Sequence, residues 1–594
     1  MPASTRAATA ASWRTHTRRA LLPGLLLTVV AVLAPTLRAP LFMDDFVHLL
    51  LIEGPKPGLA RLHGNTYGVT ALPRDEVRWA LPWWTSDEFE FNYFRPASTA
   101  LLALDVRLWG RESWGYHLTS LLAHVLAVAL VWRLLGAFGV GARGALAGAG
   151  IFAFHPGNLA AVYWISNRSD LVAVSEAIGG LLAFRAAGRA RGVRRHWLHA
   201  VTAALLSAGM LTKETVCALP AIFVVHELLG LADPVRERRI AVPWRDARWL
   251  RALPFLVFAL AYVAWYASHG FGLRSGYAPV TLDLPFATKL AFMAKSAVLA
   301  LASLVAYLPP SLQRHDRLFA LPWWPLAALF VAAASIAGIA ALRARETRHV
   351  RLFALAWLGL FVTPTLGFLP SARYLYFASV GWALLAGSIV DSLLAQAASG
   401  AARMLVAAVA AGYAFVVPAS ADVWLASRFE SEFRKGFEGL VESYRAVLGP
   451  VRADDVILLV NTPSRTTASG IGAAFRFLTP GVEAEVAVLT NFAEPPALVA
   501  EDEHTLLVTA PPGHRFFESP VDWIYLTRRD FRAGQVFHGA HFDATIAAMD
   551  GEAVESVRFR TRWSLADPRW VPVCFDPTSP TPRRCPLASF APVR

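Results

Sequence analysis

Two adjacent carboxylates, Asp44 and Asp45, follow directly after the first long apolar run of the chain. Two carboxylates side by side repel each other, so one of them needs a raised pKa or a cationic partner. The structural alternative is helix capping, because Asp is a favoured residue at the start of a helix.

Cations and other polar groups gather at the ends of further apolar runs. Ionisable groups at membrane depth are costly unless they are paired, so their convergence on one face indicates a site. The structural alternatives are snorkelling of Lys213 and Glu214 at a helix end, a local ion pair between Arg168 and Asp170, and simple packing of His124. The candidate residues are Arg95, His155, Arg168, Asp170, Lys213, Glu214, Arg373 and Tyr374.

The composition indicates the class of protein that positions these residues. Of the 594 residues, 55% are hydrophobic and only 17% are charged, and the mean hydropathy is +0.43. These values are typical of a membrane protein and exclude a disordered chain. The net charge of +13 would suggest nucleic acid for a soluble protein, but here it is explained by arginines in cytoplasmic loops. We expect no nucleic-acid partner.

Apolar runs long enough to cross a bilayer predict about eleven spans. The first follows Arg14, Arg18 and Arg19, and we favour an uncleaved helix over a signal peptide, with a cytoplasmic N-terminus. Arginine clusters at 185–195, 236–251 and 343–351 then fall on the cytoplasmic side. The predicted spans are about 20–38, 116–136, 142–157, 170–186, 197–213, 216–232, 251–268, 320–342, 352–369, 374–396 and 403–422.

The apolar stretch 287–308 is the uncertain element of this topology. As a span it would move the 343–351 arginines outside, so we expect a re-entrant or interfacial helix. Segments 39–115, 269–319 and the chain from about 426 then lie on the outer face.

The C-terminal part differs in composition, because charges return and short apolar runs at 456–460, 486–489 and 506–509 predict buried strands. A helix is predicted between the first two, at 466–478. We therefore expect a multispan membrane domain over 1–425, with its first outer loop at 39–115, and a small α/β domain over 426–594. The sequence contains no Cys/His cluster, so we do not expect structural zinc. Cys217 lies in an apolar run. Cys574 and Cys585 can form a disulfide if they lie outside the cytoplasm.

In chain order, the polar motifs resemble those of the multispan GT-C glycosyltransferases that use polyprenyl-phosphate sugars. The closest resemblance is to the protein O-mannosyltransferase-like transmembrane and tetratricopeptide repeat family, over roughly residues 20 to 400. The repeats are absent, and Ala160, Ala161 and Ala372 stand in regions where relatives often carry Glu. The motifs are Asp44-Asp45-Phe46, Tyr93 to Pro96 with Gly115-Tyr116-His117, His155 to Asp170, Leu211 to Glu214, and Arg373 to Tyr376 before Ser379-Val380-Gly381.

The resemblance implies an inverting transfer of a sugar, such as mannose, from a polyprenyl-phosphate donor to a hydroxyl of a protein or an envelope glycan or lipid. Asp44 or Asp45 would be the general base, and Arg373, Lys213 and Arg168 would hold the departing phosphate. Arg95 and His155 are secondary candidates, and Glu214, Asp170 and Tyr374 complete the substrate site. No cofactor is certain, and a divalent cation stays open.

Two other classes of function compete with this interpretation. A lipid or sugar transporter would place charges along a path, usually with inverted repeats, and we find no such symmetry in the sequence. A non-catalytic envelope protein would use the outer domain to bind a partner. The high ratio of Arg to Lys is consistent with a GC-rich bacterial genome. We expect a bacterial inner membrane, with the active site and C-terminal domain on the periplasmic side.

Overall fold

The structure, a computed structural model, describes residues 20–53, 64–233, 240, 247–306, 347–369, 371–416, 437–482, 484–578, 582–585 and 587. The α-helices of eight residues or more, in chain order, are α1 (Ala20–Arg38), α2 (Asp44–Glu53), α3 (Pro96–Trp109), α4 (Ser113–Ala137), α5 (Ala142–Phe154), α6 (Pro156–Tyr163), α7 (Arg168–Arg189), α8 (Gly192–Thr212), α9 (Leu219–Leu228), α10 (Leu253–Ser268), α11 (Phe286–Ala306), α12 (Arg348–Val362), α13 (Tyr376–Gln396), α14 (Gly400–Ala411), α15 (Gly439–Leu448) and α16 (Arg465–Leu478).

The chain divides into two compact units. The membrane unit comprises Met1–Arg38, Glu112–His269 and Phe286–Ser427. The second unit comprises Ala39–Arg111, Gly270–Pro285 and Arg428–Arg594, and we call it the outer unit after its predicted location. The expected division at 425/426 falls near the last of these boundaries. However, the first outer loop, which we expected to count with the membrane domain, clusters with the C-terminal segment.

The membrane unit is a bundle of apolar helices. Within the described residues, seven helices are long and apolar enough to cross a membrane, or eight if the bent pair α5 and α6 is one span. The protein is therefore an integral, multi-pass membrane protein, as predicted. The predicted span at 320–342 and the end of the one at 403–422 lie outside the described residues.

Small residues allow the helices of this bundle to approach closely. Helix α7 packs against α4 and α8, and α13 packs against α5 and α12. A Cβ atom added to Gly387 of α13 would lie 2.7 Å from the carbonyl oxygen of Gly144 in α5. Glycine is therefore required at this crossing, as is common where membrane helices touch.

Helix α11 corresponds to the uncertain stretch 287–308. It is a continuous 21-residue helix over Phe286–Ala306, about 31 Å long at 1.5 Å per residue. By length and composition it is a candidate span, and its unbroken course differs from the broken helix of a re-entrant segment. The interfacial placement stays a prediction.

The outer unit contains three sheets built from eleven strands of the described residues. The strands are β1 (Glu90–Asn92), β2 (Gly272–Arg274), β3 (Val456–Leu459), β4 (Glu485–Val488), β5 (Ala497–Ala500), β6 (Thr505–Thr509), β7 (Val536–His538), β8 (Phe542–Asp550), β9 (Ala553–Thr561), β10 (Trp570–Cys574) and β11 (Arg583–Arg584). Strands β1 and β2 pair antiparallel. Strands β11-β10-β3-β4 form a mixed sheet in which β10, β3 and β4 are parallel, and β5-β6-β9-β8-β7 form an antiparallel sheet.

The predicted α/β character of this region is confirmed. Strands β3 and β4 are parallel neighbours joined by helix α16, as the alternation of apolar runs and helix predicted. Ser464 caps α16 by accepting a hydrogen bond from the Thr467 backbone N–H at 3.1 Å. Cys574 and Cys585 form a disulfide at the β10–β11 edge.

Segments far apart in sequence complete the core of the outer unit. Trp84, only 2% exposed, lies in the same hydrophobic cluster as residues of both large sheets. The Trp83 Nε1 donates to the Leu489 carbonyl at 3.1 Å, and the Ser275 hydroxyl donates to the Ile524 carbonyl. Because Ala39–Arg111, Gly270–Pro285 and the C-terminal segment pack together, they lie on one side of the membrane.

This packing restricts the topology. An even number of crossings must join 111 to 270, and an even number must join 285 to 428. Four further spans are predicted between 307 and 427, at about 320–342, 352–369, 374–396 and 403–422. If α11 crosses the membrane, then at least one of these four does not.

Candidate active site

The two adjacent carboxylates have different environments at the start of α2. Asp45 is buried, and its Oδ2 accepts a hydrogen bond from the Phe42 N–H at 3.0 Å, while the Asp45 N–H donates to the Phe42 carbonyl at 3.0 Å. This reciprocal pair closes the turn before the helix, which is the capping role considered as an alternative. Asp44 is half-buried. Asp44 is therefore the more accessible carboxylate of the two.

The turn that presents Asp44 has an unusual backbone conformation. Met43 has a φ of 46°, in the left-handed region that non-glycine residues rarely adopt. Helix α16 packs on this turn, so that a Cβ atom added to Gly470 would lie 3.2 Å from the Met43 Cα. Strain of this kind costs about 1 to 3 kcal/mol and persists only where the surroundings enforce it.

A cluster of aromatic and basic side chains surrounds the next turn of α2. His48, four residues after Asp44 and so on the same helix face, lies 4.4 Å from Tyr67 between ring centroids. The Arg95 guanidinium lies 4.5 Å from the Tyr93 ring centroid and 5.1 Å from that of Tyr67. Burial lowers the pKa of His48, and the Arg95 charge lowers it further, against the opposing effect of Asp44. His48 is therefore a neutral imidazole at neutral pH, a residue that our sequence analysis did not select.

Asn65 fixes the segment that carries Arg95. Its Oδ1 accepts from the Arg95 backbone N–H at 3.0 Å, and its Nδ2 donates to the Tyr93 carbonyl at 2.6 Å. The predicted motif Tyr93 to Pro96 is thus held at both ends by one buried amide. Asp44, His48 and Arg95 are brought together within the outer unit.

In the membrane unit, Lys213 pairs with Asp170. The Lys213 Nζ lies 2.6 Å from Asp170 Oδ2, with side chains 10% and 2% exposed. Lys213 follows the end of α8 and Asp170 is in the first turn of α7, so the pair links two helices. Glu214 begins a 3₁₀ turn directly after Lys213 and is half-buried.

Arg168 and Arg373 are held by neighbouring groups of the same unit. Arg168 donates from Nε to the Ser120 hydroxyl at 3.0 Å and from a terminal nitrogen to the Tyr116 carbonyl at 2.8 Å. The Arg373 guanidinium lies 4.0 Å from the Trp164 ring centroid and donates to the Tyr374 hydroxyl at 2.7 Å. A guanidinium that stacks its face on an aromatic ring keeps the N–H groups of its edge directed away from that ring.

His124 and His155 form hydrogen bonds with neighbouring parts of the membrane unit. His124 is buried, with Nδ1 2.7 Å from the Tyr376 hydroxyl and Nε2 2.9 Å from the Ala153 carbonyl oxygen. His155 Nδ1 accepts from the Gly157 N–H at 3.1 Å and so caps α6, where Pro156 occupies the first turn. The bend of 51° between α5 and α6 occurs at this residue.

Glu176 is an acidic residue inside the α7 span that the sequence analysis overlooked. It lies six residues after Asp170, and it bonds to the side chain of Thr212, the last residue of α8. One of its carboxylate oxygens, Oε2, is buried with no hydrogen-bond partner in the described part of the chain. A carboxyl at membrane depth is itself a functional signal. Among the described residues, no group of three His, Cys, Asp or Glu side chains is arranged to hold a metal ion.

Part of the chain is similar in sequence to a known protein. The chain is 32% identical over 174 residues to protein O-mannosyl-transferase Tmtc2 of Drosophila melanogaster; the match covers 28% of this chain and 18% of that protein. The chain thus spans less than a fifth of its relative's length. No family model matches.

Two solved structures align with most of the chain. ArnT from Cupriavidus metallidurans in the apo state is 13% identical with a TM-score of 0.43, over 81% of this chain and 86% of that chain. The oligosaccharyltransferase of Archaeoglobus fulgidus tethered to an acceptor peptide is 15% identical with a TM-score of 0.43, over 81% and 64%. The sequence match confirms the resemblance predicted from the motifs: over 174 residues, this chain is a relative of a protein O-mannosyl-transferase.

Proposed function

We propose that the protein is a membrane glycosyltransferase that moves a sugar from a polyprenyl-phosphate donor to a hydroxyl of a protein or an envelope glycan or lipid. The order of its polar motifs, its multispan architecture and its sequence relationship to an O-mannosyl-transferase support the proposal. Mannose is the first sugar to test. The transfer would take place on the outer face of a bacterial inner membrane.

The observation that carries the proposal is the division of roles between Asp44 and Asp45. Asp45 is buried and bonded to the Phe42 N–H, which suits it to hold the turn. Asp44 is half-buried, next to a neutral His48 and near Arg95. We assign Asp44 as the general base.

The reaction is a single displacement. Asp44 takes the proton of the acceptor hydroxyl as its oxygen attacks the anomeric carbon. The bond between that carbon and the phosphate oxygen breaks, and polyprenyl phosphate leaves with the bonding electrons. Attack opposite the leaving group inverts the anomeric configuration.

We assign the phosphate-binding role to cations of the membrane unit. Arg373 is the strongest candidate, since Trp164 covers the face of its guanidinium and a phosphate accepts bonds from the edge. Lys213 and Arg168 are the next candidates. The buried Asp170 would orient Lys213, and Ser120 would orient Arg168.

Two matched substitutions test the base. Asp44→Asn removes basicity with little change of shape, and we expect transfer to fall about 10²- to 10⁴-fold while the thermal unfolding midpoint is unchanged. Asp45→Asn removes an equal charge next to it and should retain most of the transfer activity. Transfer is measured with a panel of polyprenyl-phosphate hexoses and a peptide carrying Ser and Thr. Normal transfer by the Asp44 variant, or equal loss in both folded variants, would refute the assignment.

A further inference from the structure

A cavity at the arginine-rich end of the membrane unit is separate from the candidate active site. It has a volume of about 710 Å³ and lies among the C-terminal ends of α4 and α7, the start of α8 and the beginning of α1. Arg189, at its edge, is 19 residues along α7 from Asp170, which corresponds to about 28 Å of helix. The two sites therefore lie near opposite ends of the same helix.

Among the described residues, four arginines contribute to the wall of this cavity and no acidic residue does. Arg133, Arg189 and Arg194 are exposed, whereas Arg185 is buried. Arg189 donates to the Ala232 carbonyl at 2.6 Å and Arg185 donates to that of Ala137. Carbonyl oxygens leave the positive charge in place, and within the described residues no carboxylate pairs with Arg133, Arg189 or Arg194. The positive charges of the exposed Arg133, Arg189 and Arg194 repel each other, and an anion bound among them relieves this repulsion.

The remaining wall is apolar. Leu22, Trp132 and Leu182 contribute, together with small residues of α4 and α7. An apolar wall does not stabilise a fully hydrated anion. A lipid, in contrast, presents a phosphate and an acyl chain side by side, so it can contact both the arginines and the apolar wall.

We propose that this cavity binds the headgroup of an anionic phospholipid of the adjacent leaflet. The arginines bond the phosphate oxygens, and Leu22 and Trp132 contact the first carbons of the acyl chains. The arginine-rich end of a membrane protein faces the cytoplasm, where the leaflet carries the anionic lipids that basic pockets between helices select. This site is independent of the proposed transfer reaction.

Lipid titration of the purified full-length protein tests the proposal. Binding of diphosphatidylglycerol is measured by native mass spectrometry and by tryptophan fluorescence in detergent at about 150 mM salt, where remote charges are screened. The test variant replaces Arg133 and Arg194 with Gln, because both are exposed and their loss should not disturb the fold. The matched control is Arg143→Gln, an exposed arginine at the start of α5 that does not line the cavity.

We expect the double variant to bind diphosphatidylglycerol about 10- to 30-fold more weakly, and the control to bind as the parent does. Phosphatidylcholine should bind weakly to all three, and inorganic phosphate should not displace the anionic lipid. Equal affinities in the parent and double variant, or an equal loss in the control, would overturn the proposal. Displacement by inorganic phosphate would also overturn it, because it would indicate a site for a free anion.

Discussion

The Lys213 ammonium lies 2.6 Å from an Asp170 carboxylate oxygen, with side chains that are only 10% and 2% exposed. An ion pair in such surroundings loses the hydration of both charges, and the mutual attraction compensates only while both partners are present. The two residues therefore act as a unit, and the double substitution should cost less stability than either single substitution.

Removal of one partner should damage the fold more than removal of both. We expect Lys213→Met or Asp170→Asn alone to lower the free energy of unfolding by about 3 to 5 kcal/mol, and the double variant to recover much of that loss. Unfolding in detergent measures the fold, and donor titration measures the function. If Lys213 binds phosphate, the restored double variant still uses the donor about 10- to 100-fold less well. Normal donor use by that variant would make the pair purely structural.

Arg373 should determine donor affinity through its charge and its planar shape. We expect Arg373→Gln to raise the KM for the lipid donor about 10- to 100-fold, with the KM for the acceptor unchanged. Arg373→Lys keeps the charge but loses the planar fork. Its KM for the lipid donor should therefore lie between those of the parent and of Arg373→Gln. Arg403→Gln, an exposed arginine of α14, is the control. Unchanged donor kinetics in both Arg373 variants would mean that this residue only anchors the chain at the membrane interface.

The disulfide should stabilise the outer unit. Cys574 and Cys585 are 11 residues apart, and closing a loop of this size contributes about 2 to 3 kcal/mol. We expect the double Ser variant to unfold at lower denaturant concentration, as measured by tryptophan fluorescence. In intact cells, a membrane-impermeant thiol reagent should label both cysteines only after reduction. Labelling without reductant would contradict the bridge, and no labelling after reduction and unfolding would contradict the outer location.

Asp522 should make the stability of the outer unit depend on pH. Burial raises the pKa of this carboxyl to about 6, against the opposing charge of Arg465. A carboxyl whose pKa is raised by folding stabilises the fold when protonated, and this contribution is lost as pH rises from about 4 through 6. We expect a loss on the order of 2 to 3 kcal/mol. Asp522→Asn should flatten the profile over this interval, and an unchanged profile would contradict the assignment.

Local patterns in the sequence predicted the elements well. Apolar runs located the described spans, and the runs around α16 predicted the β3-α16-β4 unit, because both signals come from contiguous residues. The apolar run at 287–308 was also long enough to predict a span at α11. We preferred a re-entrant or interfacial helix there because a span would have moved the 343–351 arginines to the outer face.

Contacts between distant residues could not be predicted. Asp170 has Arg168 two positions away, yet its ion pair is with Lys213, 43 positions away on another helix. Asp44 and Asp45 are equivalent in sequence, and only the turn at Phe42 distinguishes them. His48 had a usable signal, its spacing of four residues from Asp44, but nothing in the sequence showed that Tyr67 and Arg95 would surround it.

The hydrogen bond from Trp83 to the Leu489 carbonyl joins residues 406 positions apart. Ribosomes add about 5 to 20 residues per second, so roughly 20 to 80 s pass between the synthesis of this tryptophan and that of its partner. During that time the strands that will cover Trp83 and Trp84 do not yet exist. The outer unit can therefore complete its core only after the last span has been inserted, and the early loop must be protected from aggregation until then.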